Sequence, residues 1–165
     1  MRTLVVVASR DSYDSWPNAY GLSFSMLENL SKGIEIANKS FFFPVNILLT
    51  GWGVFYCGAM RTVHTAMTNW VYQFAPYCVA SKVVEATHRS FDCGETDNEH
   101  CEWEAATILL TAKRIAANRI VVVCYGPNRD YRLQLTQGVE AFKVNNLWAR
   151  SLNVRYLCNA PEVCL

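Results

Sequence analysis

Thr96 to Arg132 reads TDNEHCEWEAATILLTAKRIAANRIVVVCYGPNRDYR, a helical pattern, a strand and a polar loop in immediate succession. Thr96 with Glu99 three residues on has the form of a capping box. Glu99, Glu102 and Glu104 put negative charge on the first turns, where the helix dipole favours it. Ala105, Ile108, Leu109, Ala112, Ile115 and Ala116 then recur at helical spacing, Lys113 and Arg114 stand near the far end, and Asn118 is the expected left-handed stop. At Ile120 the period changes. Ile120-Val121-Val122-Val123-Cys124 is a continuous, largely β-branched run without polar alternation, which marks a parallel strand covered on both faces by helices. It delivers the loop Tyr125-Gly126-Pro127-Asn128-Arg129-Asp130 and a further helical stretch from about Tyr131.

Outward from this stretch the same alternation repeats. Leu4-Val5-Val6-Val7-Ala8 is a second buried strand, followed by a helical face over Met26, Leu27, Leu30, Ile34 and Ala37 that stops near Asn38. Val45-Asn46-Ile47-Leu48-Leu49 is a third strand, leading into Thr50-Gly51-Trp52-Gly53, which reads as a glycine turn. Met60, Val63, His64, Met67, Trp70, Val71 and Phe74 form an amphipathic helix that ends before Pro76, with His64 and the methionines as core. Lys82 to Thr87 reads as a shorter strand, Leu135, Val139 and Phe142 as a helix, and Val154 to Cys158 as an edge strand. Strand–helix alternation of this kind predicts an α/β fold, a three-layer α/β/α Rossmann-like sandwich. Its mainly parallel sheet has about five strands and right-handed crossovers. Residues 1–165 are expected to form one such domain.

Composition narrows the partners. Fifteen basic against fourteen acidic residues leave a net charge of +1, with no lysine or arginine run, which argues against a broad nucleic-acid surface. The apolar stretches fall well short of the ~20 residues of a membrane span, so no membrane partner is expected. Met1-Arg2-Thr3 runs straight into a strand too short for a signal-peptide core. Seven cysteines, an odd number without a short repeating pattern, suit a reducing, cytoplasmic compartment and mostly buried thiols.

In doubly wound sheets ligands bind beyond the carboxyl ends of the strands, where backbone N–H groups and helix N-termini favour anions. Three polar segments belong to that edge here. They are Ser9 and Asp11 after Ala8, Thr50 and Gly51 after Leu49, and Asn128, Arg129 and Arg132 after Cys124. Glu102 and Glu104 could face them as acid, base or ribose-hydroxyl acceptor, or could simply compensate the helix dipole. Both arginines read equally as solvated residues on a first helical turn. Cys93, His100 and Cys101 have zinc-ligand chemistry but poor spacing, since adjacent helical side chains point about 100° apart, and no metal is expected. The C-x5-R phosphate loop fails by count, because Asp130 stands six residues after Cys124. No G-x-S-x-G elbow is present.

Leu49-Thr50-Gly51-Trp52, Glu102-Trp103-Glu104-Ala105-Ala106 and Tyr125 to Arg132 together resemble the YdcF/SanA-like (ElyC/SanA/YdcF) family of small Rossmann-like domains, over roughly residues 3 to 157. They stand where that family shows S-G-G, T-x-E-N-A and V-T-S-x-x-H-x-x-R. Gly51, Glu104, Ala106 and Arg132 match, whereas the family threonine is Glu102, its asparagine Ala105, its second glycine Trp52 and its histidine Arg129. The resemblance implies a pocket at the sheet's switch point for a nucleotide-like or phosphorylated small molecule, with S-adenosylmethionine the first ligand to try. Transfer or hydrolysis would then rest on Glu104 as general acid or base, with the arginines holding the anion. Arginine at the histidine position would keep or strengthen an anion site there. The alternative is a non-enzymatic adaptor that keeps the fold with a degenerate site and anchors a partner through Tyr13, Trp16 and Tyr20.

Overall fold

A computed structural model describes residues 2–9, 22, 24–39, 44–51, 53–56, 59–86, 97–124 and 129–157. Strand β1 (Thr3–Ser9) is followed by helix α1 (Phe24–Asn38), strand β2 (Val45–Gly51) and two short strands, β3 (Gly53–Tyr56) and β4 (Ala59–Thr62). Helices α2 (Val63–Phe74), α3 (Tyr77–Ala80) and α4 (Asp97–Arg114) lead to β5 (Arg119–Val123). Helix α5 (Arg129–Asn145), a 3₁₀ turn (Leu147–Ser151) and β6 (Asn153–Leu157) complete the order.

The main sheet has four strands in the order β2-β1-β5-β6, all parallel. Its registers align Thr3 with Val45 and Arg119, and Arg119 with Asn153, so the strand starts share one edge. The all-apolar runs produce this by burying both faces. Leu4, Val6, Ala8, Leu48, Ile120, Val122 and Cys124 pack against α4 and α5. Val5, Val7, Ile47, Leu49 and Val123 pack against α1 and α2 on the opposite face. The result is the expected three-layer α/β/α sandwich, with helices on both sides of a parallel sheet. Chain order proceeds outward from β1 to β2, then returns to β5 on the other side of β1, so the switch point falls between β1 and β5.

Two glycines set the layer spacing. A Cβ on Gly33 would stand 2.5 Å from Cγ2 of Val7, so α1 lies directly on β1. A Cβ on Gly138 would meet the Cys101 carbonyl at 3.0 Å and the Ala105 Cβ at 3.2 Å, so α5 lies directly on α4.

The fifth strand expected over Lys82 to Thr87 is reduced to one parallel bridge between Val83 and Ile47. The turn leaving α3 engages Lys82 and Val83, whose amides bond to the Val79 and Ala80 carbonyls at 2.9 and 3.2 Å. Only the Lys82 carbonyl and the Val84 amide are left to reach β2. A second difference is the antiparallel β3–β4 hairpin, which replaces the expected glycine turn and the first turn of the following helix. Met60 falls in helical phase with Val63 and Met67, but it belongs to β4, and α2 begins at Val63.

Helix α4 starts at Asp97, and the Thr96 end of its expected capping box lies outside the described residues. Its other end differs from expectation. Ala116, not Asn118, carries the left-handed backbone, at φ 58°. The Ala117 amide reaches the Ala112 carbonyl at 2.8 Å and the Ala116 amide reaches Lys113 at 3.1 Å, the two bonds of a Schellman motif. Asn118 instead donates its amide to the Arg2 carbonyl, aligning β5 with β1. Left-handed alanine costs about 1 kcal/mol, and glycine gives part of that back through a freer unfolded chain. Ala116→Gly is therefore expected to raise stability by about 0.5 kcal/mol, read as a higher urea midpoint at unchanged slope.

Candidate functional site

The carboxyl edge of the sheet is built by register. Ser9 pairs with Gly51 and Ala8 with Thr50, so the ends of β1 and β2 lie side by side. Thr50 is buried, as is Cys124 just past β5. The side chain of Ser9 lies outside the described residues, as do Asp11 and Asn128 entirely.

Two polar side chains close the ends of the central strands. Arg132 stands on the first turns of α5, is 5% exposed, and donates from Nη1 to the Cys124 carbonyl at 3.1 Å. Asn29 on α1 is 1% exposed and donates from Nδ2 to the Ala8 carbonyl at 3.3 Å. These carbonyls end β5 and β1, the two strands that flank the switch point. Sequence reading named Arg132 but missed Asn29, whose signal was a polar residue inside the apolar stripe between Met26 and Leu30. Arg129 is the first residue of α5, where backbone N–H groups lack helical partners.

Helix α4 separates the two glutamates. Glu102 is exposed, whereas Glu104, about 200° further around the helix, is 1% exposed with Oε1 fully buried. Glu104 continues into Thr107 and Thr111, both buried, so this face of α4 is a buried polar stripe. The helices meet where the Cys101 thiol donates to Gln134 Oε1 at 3.7 Å and where Gly138 rests on Cys101. Glu104 lies one turn from that contact on α4 and Arg132 two residues from it on α5. The fold thus brings Thr50, Glu104 and Arg132 into the buried layer on one sheet face, and leaves Glu102 outside it.

Two groups beside Arg132 resist ionisation. Burial pushes the Cys124 thiol up to about 11, against the opposing pull of the Arg132 guanidinium. Its Sγ lies 3.6 Å from the Leu157 carbonyl, as a protonated donor does. A thiol held this way is no nucleophile near neutral pH. Burial likewise pushes the Tyr156 phenol up to about 12. The nearby Thr136 hydroxyl acts the other way, and Cys124 and Glu140 add to the rise. That hydroxyl is engaged at 2.8 Å by the Arg132 carbonyl. Tyr156, Thr136, Arg132 and Cys124 therefore form one contiguous wall.

Both groups are neutral in folded and unfolded chains below pH 9, so their burial is then unopposed. Above the ordinary values of 9.0 for the thiol and 10.0 for the phenol, only the unfolded chain ionises freely. Stability is expected to fall between about pH 9 and 12, by on the order of 2 kcal/mol for each group. Urea unfolding at stepped pH checks this, and Cys124→Ala should remove the earlier part of the fall.

Cys93 lies outside the described residues, and among those described no three His, Cys, Asp or Glu side chains gather as a metal site. No helix among them is long and apolar enough to cross a membrane. No model of a known protein family and no curated protein matches the chain.

Proposed function

We propose that the carboxyl edge between β1 and β5 binds a small anionic or nucleotide-like ligand, a phosphorylated metabolite or S-adenosylmethionine. The observation that carries this reading is Arg132, a guanidinium buried at the end of a central strand on the opening turns of a helix. A fixed, desolvated cation at a switch point supplies what an anion needs, and the first turns of α5 add backbone N–H groups and the positive end of the helix dipole. Ser9, Thr50 and Gly51 offer hydroxyl and close backbone approach from the neighbouring strands. Asp11, Asn128 and Arg129 complete the proposed set. If the ligand is turned over, Glu104 is the buried carboxyl placed to move a proton, and Glu102, exposed, is the rim residue. Membership of the YdcF/SanA-like family remains part of the proposal, supported by Gly51, Glu104, Ala106 and Arg132 at the family's spacing.

A thermal-shift screen of the purified chain against nucleotides, S-adenosylmethionine, sugar phosphates and divalent metals tests the reading. A raised midpoint with an anionic compound is the expected result. A cooperatively melting protein that responds to none of them overturns it in favour of the adaptor.

A further inference from the structure

The opposite edge of the sheet has its own chemistry. In a parallel sheet with antiparallel helices, strand starts and helix ends share one edge. Three bonds fix this here: Lys82 Nζ to the Ala37 carbonyl at the end of α1, Asn118 N to Arg2 O after α4, and Lys143 Nζ to Leu152 O after α5. Val83, paired with Ile47 near the start of β2, brings the α2–α3 corner to the same edge.

The large apolar side chains that stand exposed among the described residues all belong to it. Tyr77 is 87% exposed, Leu147 71%, Val144 67%, Tyr72 62% and Phe74 53%. They come from the end of α2, the start of α3, the end of α5 and the 3₁₀ turn. Exposed cations share the edge: Lys39 after α1, Lys113 and Arg114 at the end of α4, Arg119 at the start of β5, and Arg150 in the 3₁₀ turn. Among the described residues the acidic side chains of this edge are few. Glu35 is held by Lys39 at 2.7 Å and Lys32 at 3.5 Å, and Glu85 and Glu140 are exposed.

We infer that this amino-terminal edge docks on an anionic lipid surface. Cations alone would suit any polyanion. Protruding aliphatic Leu147 and Val144 serve neither phosphate pairing nor base stacking, the main contacts that grip a nucleic acid. The Trp148 ring is engaged by Lys113 Nζ at 4.5 Å and by Phe142 edge-on at 5.8 Å. Exposed aliphatics and tyrosines among lysines and arginines match the headgroup layer, where phenol rings sit and each cation adds attraction to anionic lipid. That no described helix is long and apolar enough to cross a membrane bears on crossing, and docking needs none. In this pose the carboxyl edge with Thr50, Glu104 and Arg132 is turned away from the lipid.

Co-sedimentation of the full chain with phosphatidylcholine vesicles, with and without about one-third phosphatidylserine, tests the inference. Binding only to the anionic vesicles, weakened by salt, is expected. Lys113→Gln/Arg119→Gln/Arg150→Gln should lower partitioning by roughly fivefold per cation, on the order of 100-fold together. Tyr77→Ser/Leu147→Ser, at positions that contribute little to the core, is an independent arm and should weaken binding at any salt. Far-UV circular dichroism confirms that each variant is folded. Equal binding to neutral vesicles, no binding by folded wild type, or unchanged binding by both variants would overturn the inference. So would binding of a DNA oligonucleotide, lost in the triple variant, without binding of vesicles.

Discussion

Arg132→Gln is expected to abolish the ligand-induced rise in melting midpoint in a protein that still melts cooperatively. Glutamine removes the charge and keeps a polar side chain on the first turns of α5, so loss of the shift reports on the guanidinium. At 100 times its dissociation constant a ligand adds roughly 2.7 kcal/mol, and that increment should vanish if the guanidinium holds an anion. Arg132→Ala removes donor and charge together. It should additionally cost about 1–3 kcal/mol without ligand, because the carbonyl at the buried end of β5 loses its partner. Arg132→Lys keeps the charge without the planar fork, and should retain part of the shift. A full shift in Arg132→Gln would mean that the ligand sits elsewhere.

Ile120→Ala should cost about 4 kcal/mol, a large share of the ~5–15 kcal/mol that holds a domain together. Ile120 is 0% exposed, with Leu4 of β1 and Val154 of β6 in register on its two sides. Both neighbouring strands are fixed by their ladders, so the void cannot collapse, and α4 and α5 close it from above. Val121→Ala, one residue on and itself only half-buried on the other face, should cost nearer 1 kcal/mol. Urea unfolding of both variants measures the contrast. Equal costs would contradict the difference in cover between Ile120 and Val121.

What could be read beforehand follows from the range of the interactions. The central strands are legible because unbroken apolar runs at Leu4 and Ile120 allow few other structures, and α4 because its apolar period is long. The β3–β4 hairpin is not, since four-residue strands carry too few positions to outweigh the helical phase of Met60 with Met67. The segment at Lys82 reads as a strand by composition, yet the turn after α3 engages its first residues. At the site, residue types and edge were readable from the strand ends. Burial was not. Nothing local distinguishes Glu104 from Glu102 beyond helical phase, and the Asn29–Ala8 and Arg132–Cys124 bonds depend on which strand each helix covers. The cations and exposed apolar groups of the opposite edge are scattered over seven elements and share an edge only in the folded chain, so no run announces them.

The placement of β1 between β2 and β5 has a consequence for the order in which the protein comes into being. As the chain leaves the ribosome, β1 can pair with β2 once Gly51 has emerged, but its other side waits for Arg119. That interval, 119 minus 51, is 68 residues, roughly 3–14 seconds of synthesis. Throughout it Leu4 to Ala8 presents an open, wholly apolar strand edge, the kind that recruits chaperones or another nascent copy. A chain stopped at Asn118 should therefore aggregate by light scattering where the full chain stays clear. The strand that covers the open edge of β1 runs directly into Cys124 and Arg132, so the proposed site and protection of the nascent edge arrive together.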